Sequence, residues 1–281
     1  MYSTTSIFII ILFAAFCHAS WSAIIKHSNN RLGIMAITSI VEVVVFLPLT
    51  FYVPLPSLTI WYLIIVSVIL HGFYRLNVIY SYKFGDLSFV YPIARGGSSL
   101  SIAVISIFFL KDYISVIGFT SIVIVCIGIF LISYSKSYKF NYHAFYLAIS
   151  TAILITIYTL VDGFGIRLSE NEFSYLYWML LLNGVPVLIF SIYSREQPFK
   201  NINFKFIFLG ILAGILAILS YGIVVWSMHY IEIAYVSSIR ESSIIFATII
   251  GLFLLKEKQA KNRIIPTLLI VTGIIILYFQ I

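Results

Sequence analysis

Apolar residues in this chain run in long blocks, and short polar clusters separate them. Each block is about 20 residues long, the length that carries an α-helix across the hydrocarbon core of a bilayer. The pattern predicts ten helices, at roughly 5–24, 33–53, 60–82, 87–110, 114–134, 143–166, 174–193, 204–228, 232–255 and 264–280. The breaks fall at polar, glycine or proline positions such as Asn29-Asn30, Pro54-Leu55-Pro56, Gly85-Asp86 and Lys111-Asp112. The connections are too short to hold another folded domain. The expected fold class is an all-α polytopic membrane protein with ten transmembrane helices.

Two of the blocks resemble each other. Segments 87–110 and 232–255 superimpose without a gap, which lays Arg95 on Arg240, Ser98 on Ser243, Lys111 on Lys256 and Asp112 on Glu257. One helix later Gly128 falls on Gly273. Pro48 also corresponds to Pro186, and Trp21 to Tyr158. Elsewhere the halves match mostly as one aliphatic residue against another. Two repeats of five helices are expected, 1–140 and 141–281. An odd number of crossings turns the second repeat upside down, and inverted repeats of this kind place a substrate site near the bilayer midplane.

Composition narrows the function. Hydrophobic residues make up 62% of the chain and charged residues 10%, too few polar groups to cover a water-soluble surface. Trp61, Tyr62, Tyr134, Tyr193 and Tyr278 fall near block ends, where interfacial rings are favoured. The net charge of +7 comes mainly from short loops, so it reads as membrane orientation rather than as a nucleic-acid surface. The loops after spans 1, 3, 5, 7 and 9 hold Lys26, Arg31, Lys83, Lys136, Lys139, Arg195, Lys200, Lys205, Lys256, Lys258, Lys261 and Arg263. The remaining loops hold Lys111 and Arg167. The positive-inside rule puts the basic side in the cytoplasm and both termini outside the cytoplasmic (cell inner) membrane. The first block reads as a retained helix rather than a cleaved leader. Cys17 and Cys126 each lie inside an apolar run and form no framework or metal motif. There is no phosphate loop, GxSxG or HExxH, so neither ATP hydrolysis nor another enzymatic activity is expected, and no cofactor or metal is called for.

The candidate chemistry is therefore intramembrane charge. An arginine near the bilayer centre costs about 2.5–3.5 kcal/mol even on the lenient insertion scale, and such residues default to function. Tyr91, Arg95, Ser98 and Ser99 share one face of the fourth span, beside Pro92 and Gly96-Gly97. A guanidinium presents a fixed fork suited to carboxylate or phosphate. Arg95 is expected to bind an anionic group, with Tyr91 and Ser98 beside it, and Arg240 either assists or is a structural echo. The competing reading pairs each arginine with a buried acid, Glu42 or Asp162. Glu42 is either a protonatable coupling group or a counter-ion, and Asp162 either that or a cap beside Gly163 and Gly165. Arg75 lies close enough to a predicted helix end to snorkel. His18 either touches a ligand or bonds a neighbouring backbone. Trp21, Tyr158, Tyr221 and Trp226 are candidate cavity rings, with core packing as the alternative.

Ten helices in two halves, a first helix reading His18-Ala19-Ser20-Trp21 with Lys26 beyond, and segments ending Leu110-Lys111-Asp112 and Leu255-Lys256-Glu257 resemble EamA-type members of the drug/metabolite transporter superfamily. The resemblance covers nearly the whole chain. It implies a central cavity lined by spans 1, 3, 4, 6, 8 and 9, spans 5 and 10 at the periphery, and alternating access by rocking helix groups. Small multidrug relatives carry an acid in the first helix; this chain has none there, which disfavours export of cationic drugs. The expected function is secondary transport of a small anionic or zwitterionic metabolite, such as an amino acid, a carboxylate or a phosphorylated or phosphonate compound. The alternatives are export of drugs or apolar cations, and a role in a lipid-linked substrate flippase. The expected partners are the small-molecule substrate and the lipid bilayer, for a monomer or homodimer.

Overall fold

The computed structural model describes residues 3–84, 87–110, 112–133, 141–200, 202–253 and 264–281. All regular structure in these residues is helical. The first six predicted spans appear as α1 (Thr4–His27), α2 (Arg31–Phe46), α3 (Leu58–Phe84), α4 (Leu87–Ile105), α5 (Val116–Ser133) and α6 (Tyr142–Leu168). The eighth and tenth are α9 (Phe204–Ser227) and α12 (Ile264–Tyr278). Six segments are long and apolar enough to cross a membrane: Thr4–His27, Arg31–Leu49, Leu58–Tyr80, Tyr142–Leu168, Glu172–Tyr193 and Phe204–Ser227. Ile93–Phe109, Val116–Leu131 and Ile265–Tyr278 are shorter apolar helices. The expectations on Gly85-Asp86, Lys111, Tyr134, Lys136, Lys139, Leu255 to Glu257, Lys258, Lys261 and Arg263 lie outside the described residues. So do the side chains of Lys83, Tyr91 and Pro92.

The asparagines at the breaks do more than interrupt the apolar blocks. Asn30, Asn141, Asn171 and Asn203 each accept a backbone N–H of the following first turn, starting α2, α6, α7 (Glu172–Asn183) and α9. Such a cap satisfies one of the orphan donors that every helix start carries.

The seventh and ninth spans are each broken in two. Gly184 ends α7, and Pro186 sits in the first turn of α8 (Val185–Tyr193), since its ring removes the N–H that would continue the helix. In the ninth span α10 (Ile233–Arg240) and α11 (Ser243–Phe253) flank a turn at Glu241-Ser242. There the Glu241 and Ser242 N–H groups bond three residues back, to Ser238 and Ile239. That tightening changes where the side chains of the turn point. The second span closes with a 3-10 turn at Leu47–Leu49 carrying Pro48, and the fourth with a π turn at Ser106–Leu110.

The helices of the two halves pack mainly on one another. α1 lies on α9 as α3 lies on α6; α4 lies on α6 as α10 and α11 lie on α1; α5 pairs with α12. The aligned glycines sit at this last crossing. A Cβ on Gly128 would fall 2.8 Å from the Pro266 carbonyl, and one on Gly273 2.9 Å from the Ser121 carbonyl, so only glycine permits this approach.

Polarity is arranged inside out. Ile9, Phe13, Phe73, Ile153 and Ile192 are exposed, whereas Arg95, Arg240, Glu42, Asp162 and Glu241 are buried. Water would invert this distribution; lipid favours it. The connection after α1 meets the one after α8, through Asn30 Nδ2 donating to the Pro198 carbonyl at 2.8 Å. On the other side Ser174 and Trp178 of α7 donate to the Pro54 carbonyl at 2.7 and 3.1 Å.

Candidate functional site

Arg95 and Arg240 occupy matching positions in the alignment but not in chemistry. Arg95 Nε donates to Glu241 Oε2 at 3.1 Å, and its Nη2 lies 3.0 Å from Glu241 Oε1. Ser99 Oγ donates to the same carboxylate at 3.2 Å, and Ser98 Oγ turns back onto the Arg95 carbonyl at 2.9 Å. Arg95 is 2% exposed and Glu241 0%. The acid that takes Arg95 is thus neither Glu42 nor Asp162 but Glu241, from the turn that breaks the ninth span. Ser98 and Arg95 face this pair and are absent from the cavity lining described next.

Arg240, also 2% exposed, makes no ion pair among the described residues, and its Nε and Nη2 have no hydrogen-bond partner. It borders an internal cavity of about 40 Å³ that also touches His18, Trp21, Tyr158 and Tyr221. The Tyr158 hydroxyl stands beside the guanidinium. Trp21 Nε1 donates to His18 Nδ1 at 3.2 Å, one turn away, so His18 is held by a side chain rather than by the backbone. The aligned pair Trp21 and Tyr158 therefore meets across one space. Three further buried polar atoms around it have no hydrogen-bond partner: Thr38 Oγ1, His71 Nε2 and Asn183 Oδ1. His71 Nδ1 lies 3.0 Å from the Ser67 carbonyl, which fixes Nδ1 as the protonated nitrogen and leaves Nε2 as an acceptor. The His71 ring stacks on Tyr158 at 4.0 Å and on Tyr221 at 4.7 Å.

The lining differs from the one the family resemblance implied. α2 and α7 contribute Thr38 and Asn183, while among the described residues α4, α5 and α12 supply none to the lining.

The remaining intramembrane acids are held in two ways. Arg75 grips Glu42 in a bidentate pair, Nη2 to Oε1 at 2.6 Å and Nη1 to Oε2 at 3.1 Å, with Ser39 Oγ also 3.4 Å from Nη1. Arg75 does not snorkel: α3 runs on to Phe84, so Arg75 sits about 2.5 turns inside its end and faces α2. Gly184 makes room for the pair, since a Cβ there would fall 2.9 Å from Glu42 Oε2. Asp162 accepts hydrogen bonds from Tyr175 at 2.8 Å and Tyr221 at 2.5 Å, bonds that neither cap nor bend the end of α6. Trp226 stacks on Tyr230 at 4.8 Å and takes no part in the cavity lining.

One side of this centre is latched. Arg167, at the end of α6, donates to the Met228 and Ile231 carbonyls at 2.8 and 3.0 Å and pairs with Asp112 at 2.7 Å. Tyr230 adds a bond to Glu172 at 2.9 Å. The opposite side is indented by a cavity of about 430 Å³ bordered by Arg31, Arg195 and Lys200, and by Ile79, one turn beyond Arg75 on α3. No group of three or more metal-ligating side chains occurs among the described residues.

Reasoning from sequence missed the Glu241 partner, the unsatisfied Asn183 and Thr38 atoms and the Arg167 latch. Only Arg167 carried a usable signal, as one of two cations on the poorly charged side.

A comparison with curated proteins gives no match. One solved structure, described as "Crystal structure of protein", superimposes over 98% of this chain and 96% of its own with a TM-score of 0.73. At 12% sequence identity this is a likeness of fold alone. Residues 143–279 match the model of the EamA-like transporter family. That match makes the second half of the chain similar to the EamA-like transporter family.

Proposed function

We propose that this membrane transporter moves a small anionic or zwitterionic metabolite across the cytoplasmic membrane by alternating access, with Arg240 as the anion anchor. One observation carries the reading: a buried guanidinium in a membrane interior, with no carboxylate partner among the described residues, turned toward a cavity. An isolated buried charge is strongly unfavourable, so the site favours an incoming anion. Arg95, by contrast, has its carboxylate already. Tyr158 and Trp21 flank the anchor, and Ser98 is left to the surroundings of the other arginine.

In the same reading the chain crosses the membrane ten times as two inverted repeats, 1–140 and 141–281. The exchange-symmetric packing of α1 on α9 and α3 on α6 supports it. The central cavity holds only a few waters, whereas small-molecule sites are about 300–1,000 Å³. This is a closed conformation, and loading requires helix groups to part. An anion entering from the basic side passes Arg31, Arg195 and Lys200, whose field raises its local concentration. Export of apolar cations would need a carboxylate open to the cavity, and Glu42 is already held by Arg75.

The test is a thermal-shift screen of purified protein against anionic and zwitterionic metabolites, followed by uptake into proteoliposomes. Ligands that raise the melting temperature of the wild type by mass action lose that effect in Arg240→Gln, which still folds. An undiminished shift and undiminished uptake in this variant reject Arg240 as the anchor.

A further inference from the structure

Asp162 stands apart from the other acids of the membrane interior. It is 0% exposed, and each of its oxygens accepts from a tyrosine: Oδ1 from Tyr175 of α7 at 2.8 Å and Oδ2 from Tyr221 of α9 at 2.5 Å. The Ser67 hydroxyl of α3 completes the set. All three partners are neutral. Glu42 and Glu241, in the same low-dielectric interior, each face a guanidinium at 2.6 and 3.0 Å.

α6, which carries Asp162, packs against α3, α4, α7, α9 and α10. α3 brings His71 and Arg75, α4 brings Arg95, α7 Tyr175, α9 Tyr221 and α10 Arg240; α6 itself carries Tyr158 and Arg167. Arg75, Arg95 and Arg167 are committed to Glu42, Glu241 and Asp112, and Arg240 borders the cavity. None of the four forms an ion pair with Asp162 among the described residues. Hydroxyl donors soften a buried negative charge but do not neutralise it. Among the described residues Asp162 belongs to no group of three or more side chains that could hold a metal ion.

We propose that Asp162 is the proton-binding site of the transporter, reached from the central cavity through Tyr221; this rests on the transport reading given above. Tyr221 is the connecting residue, because its ring borders the cavity while its hydroxyl bonds the carboxylate. A hydronium ion in the cavity gives a proton to the Tyr221 oxygen as the Tyr221 O–H bond breaks toward Asp162 Oδ2, and is left as neutral water. One O–H bond breaks on the hydronium donor and one forms on the carboxyl, which passes from negative to neutral. Discharge to the opposite side reverses the step. The neutral acid accepts fewer hydrogen bonds than the carboxylate, so one tyrosine hydroxyl loses its acceptor. Tyr221, packed on His71, is the one whose release reshapes the cavity, which ties proton occupancy to the ligand site. Ionisable groups inside membrane proteins serve as proton relays in this manner.

The test is infrared difference spectroscopy of the full-length protein in lipid during a pH titration, with the proton as the probe. The expected result is a carboxylic-acid C=O band that grows on acidification in the wild type and is absent from Asp162→Asn. Tyr221→Phe shifts the band, because it removes a hydrogen bond from the carboxyl. Identical difference spectra for the wild type and Asp162→Asn overturn the proposal. Should Asp162→Asn fail to fold, Tyr175→Phe takes its place, and a band unmoved by that change is equally fatal. No transported solute enters the measurement. Failure here therefore leaves Arg240 as the anchor, and failure of the Arg240 screen leaves the band in place.

Discussion

An arginine in a membrane is defined by what stands opposite it. Arg95 and Arg240 are 2% exposed and align with each other, yet one is paired with Glu241 and the other makes no ion pair among the described residues. Their substitutions should diverge. Arg95→Ala strands Glu241 in the interior and is expected to cost about 3–5 kcal/mol of stability. Replacing both partners, as in Arg95→Met with Glu241→Leu, should recover most of that loss, because an apolar pair of similar volume removes both desolvation penalties. Arg240→Gln removes an uncompensated charge and should melt no lower than the wild type. Chemical or thermal melts of the four proteins in one detergent decide it; a double variant as unstable as Arg95→Ala would show that the pair is not what the stability measures.

At the scale of elements, the breaks matter more than the helices. Gly184 interrupts the seventh span where α2 presses closest, with its position 2.8 Å from the Ser39 carbonyl and 2.9 Å from Glu42 Oε2 once a Cβ is added. Gly184→Ala is expected to push Glu42 off Arg75 and destabilise the protein by about 1–3 kcal/mol, the usual cost of overfilling a packed site. The Glu42→Gln background, where the pair is already broken, should feel the alanine less. Equal losses in both backgrounds would mean that the backbone contact alone sets the penalty. The sequence showed where such breaks fall only in part. Pro186 marks the α7–α8 junction plainly. The Glu241-Ser242 turn has no proline or glycine, and Ser237, Ser238, Ser242 and Ser243 read equally well as a polar helix face. At this turn Glu241 meets Arg95, a residue of another helix.

At the scale of the whole molecule the two faces differ in how they are closed. Arg167 ties α6 to the α9–α10 connection and to Asp112, whereas the side of Arg31, Arg195 and Lys200 is indented. In the orientation that the loop charges predict, the latched face is extracytoplasmic. A membrane-impermeant maleimide added to intact cells should then label Ser169→Cys and spare Ser28→Cys. Arg167→Ala should raise the labelling of a cavity cysteine, Ser220→Cys, several-fold from the same side. Labelling of Ser28→Cys but not Ser169→Cys would turn the protein over, and an unchanged Ser220→Cys signal would deny Arg167 its latching role.

What the sequence determined by itself was whatever follows from local pattern. Apolar block length located the spans, because a bilayer tolerates only helices of about 20 residues whose backbone groups are satisfied internally. Aligned Arg95 and Arg240, with Gly128 and Gly273, brought out the likeness of the halves, and two intramembrane arginines marked the centre of interest. Tertiary structure decided which arginine meets a carboxylate, that Arg75 takes Glu42, and that Asp162 accepts from two tyrosine hydroxyls. The physical reason is range. Hydrophobic periodicity is a property of neighbours in the chain, while the state of a buried charge is set by atoms within a few ångströms that come from helices far away in sequence.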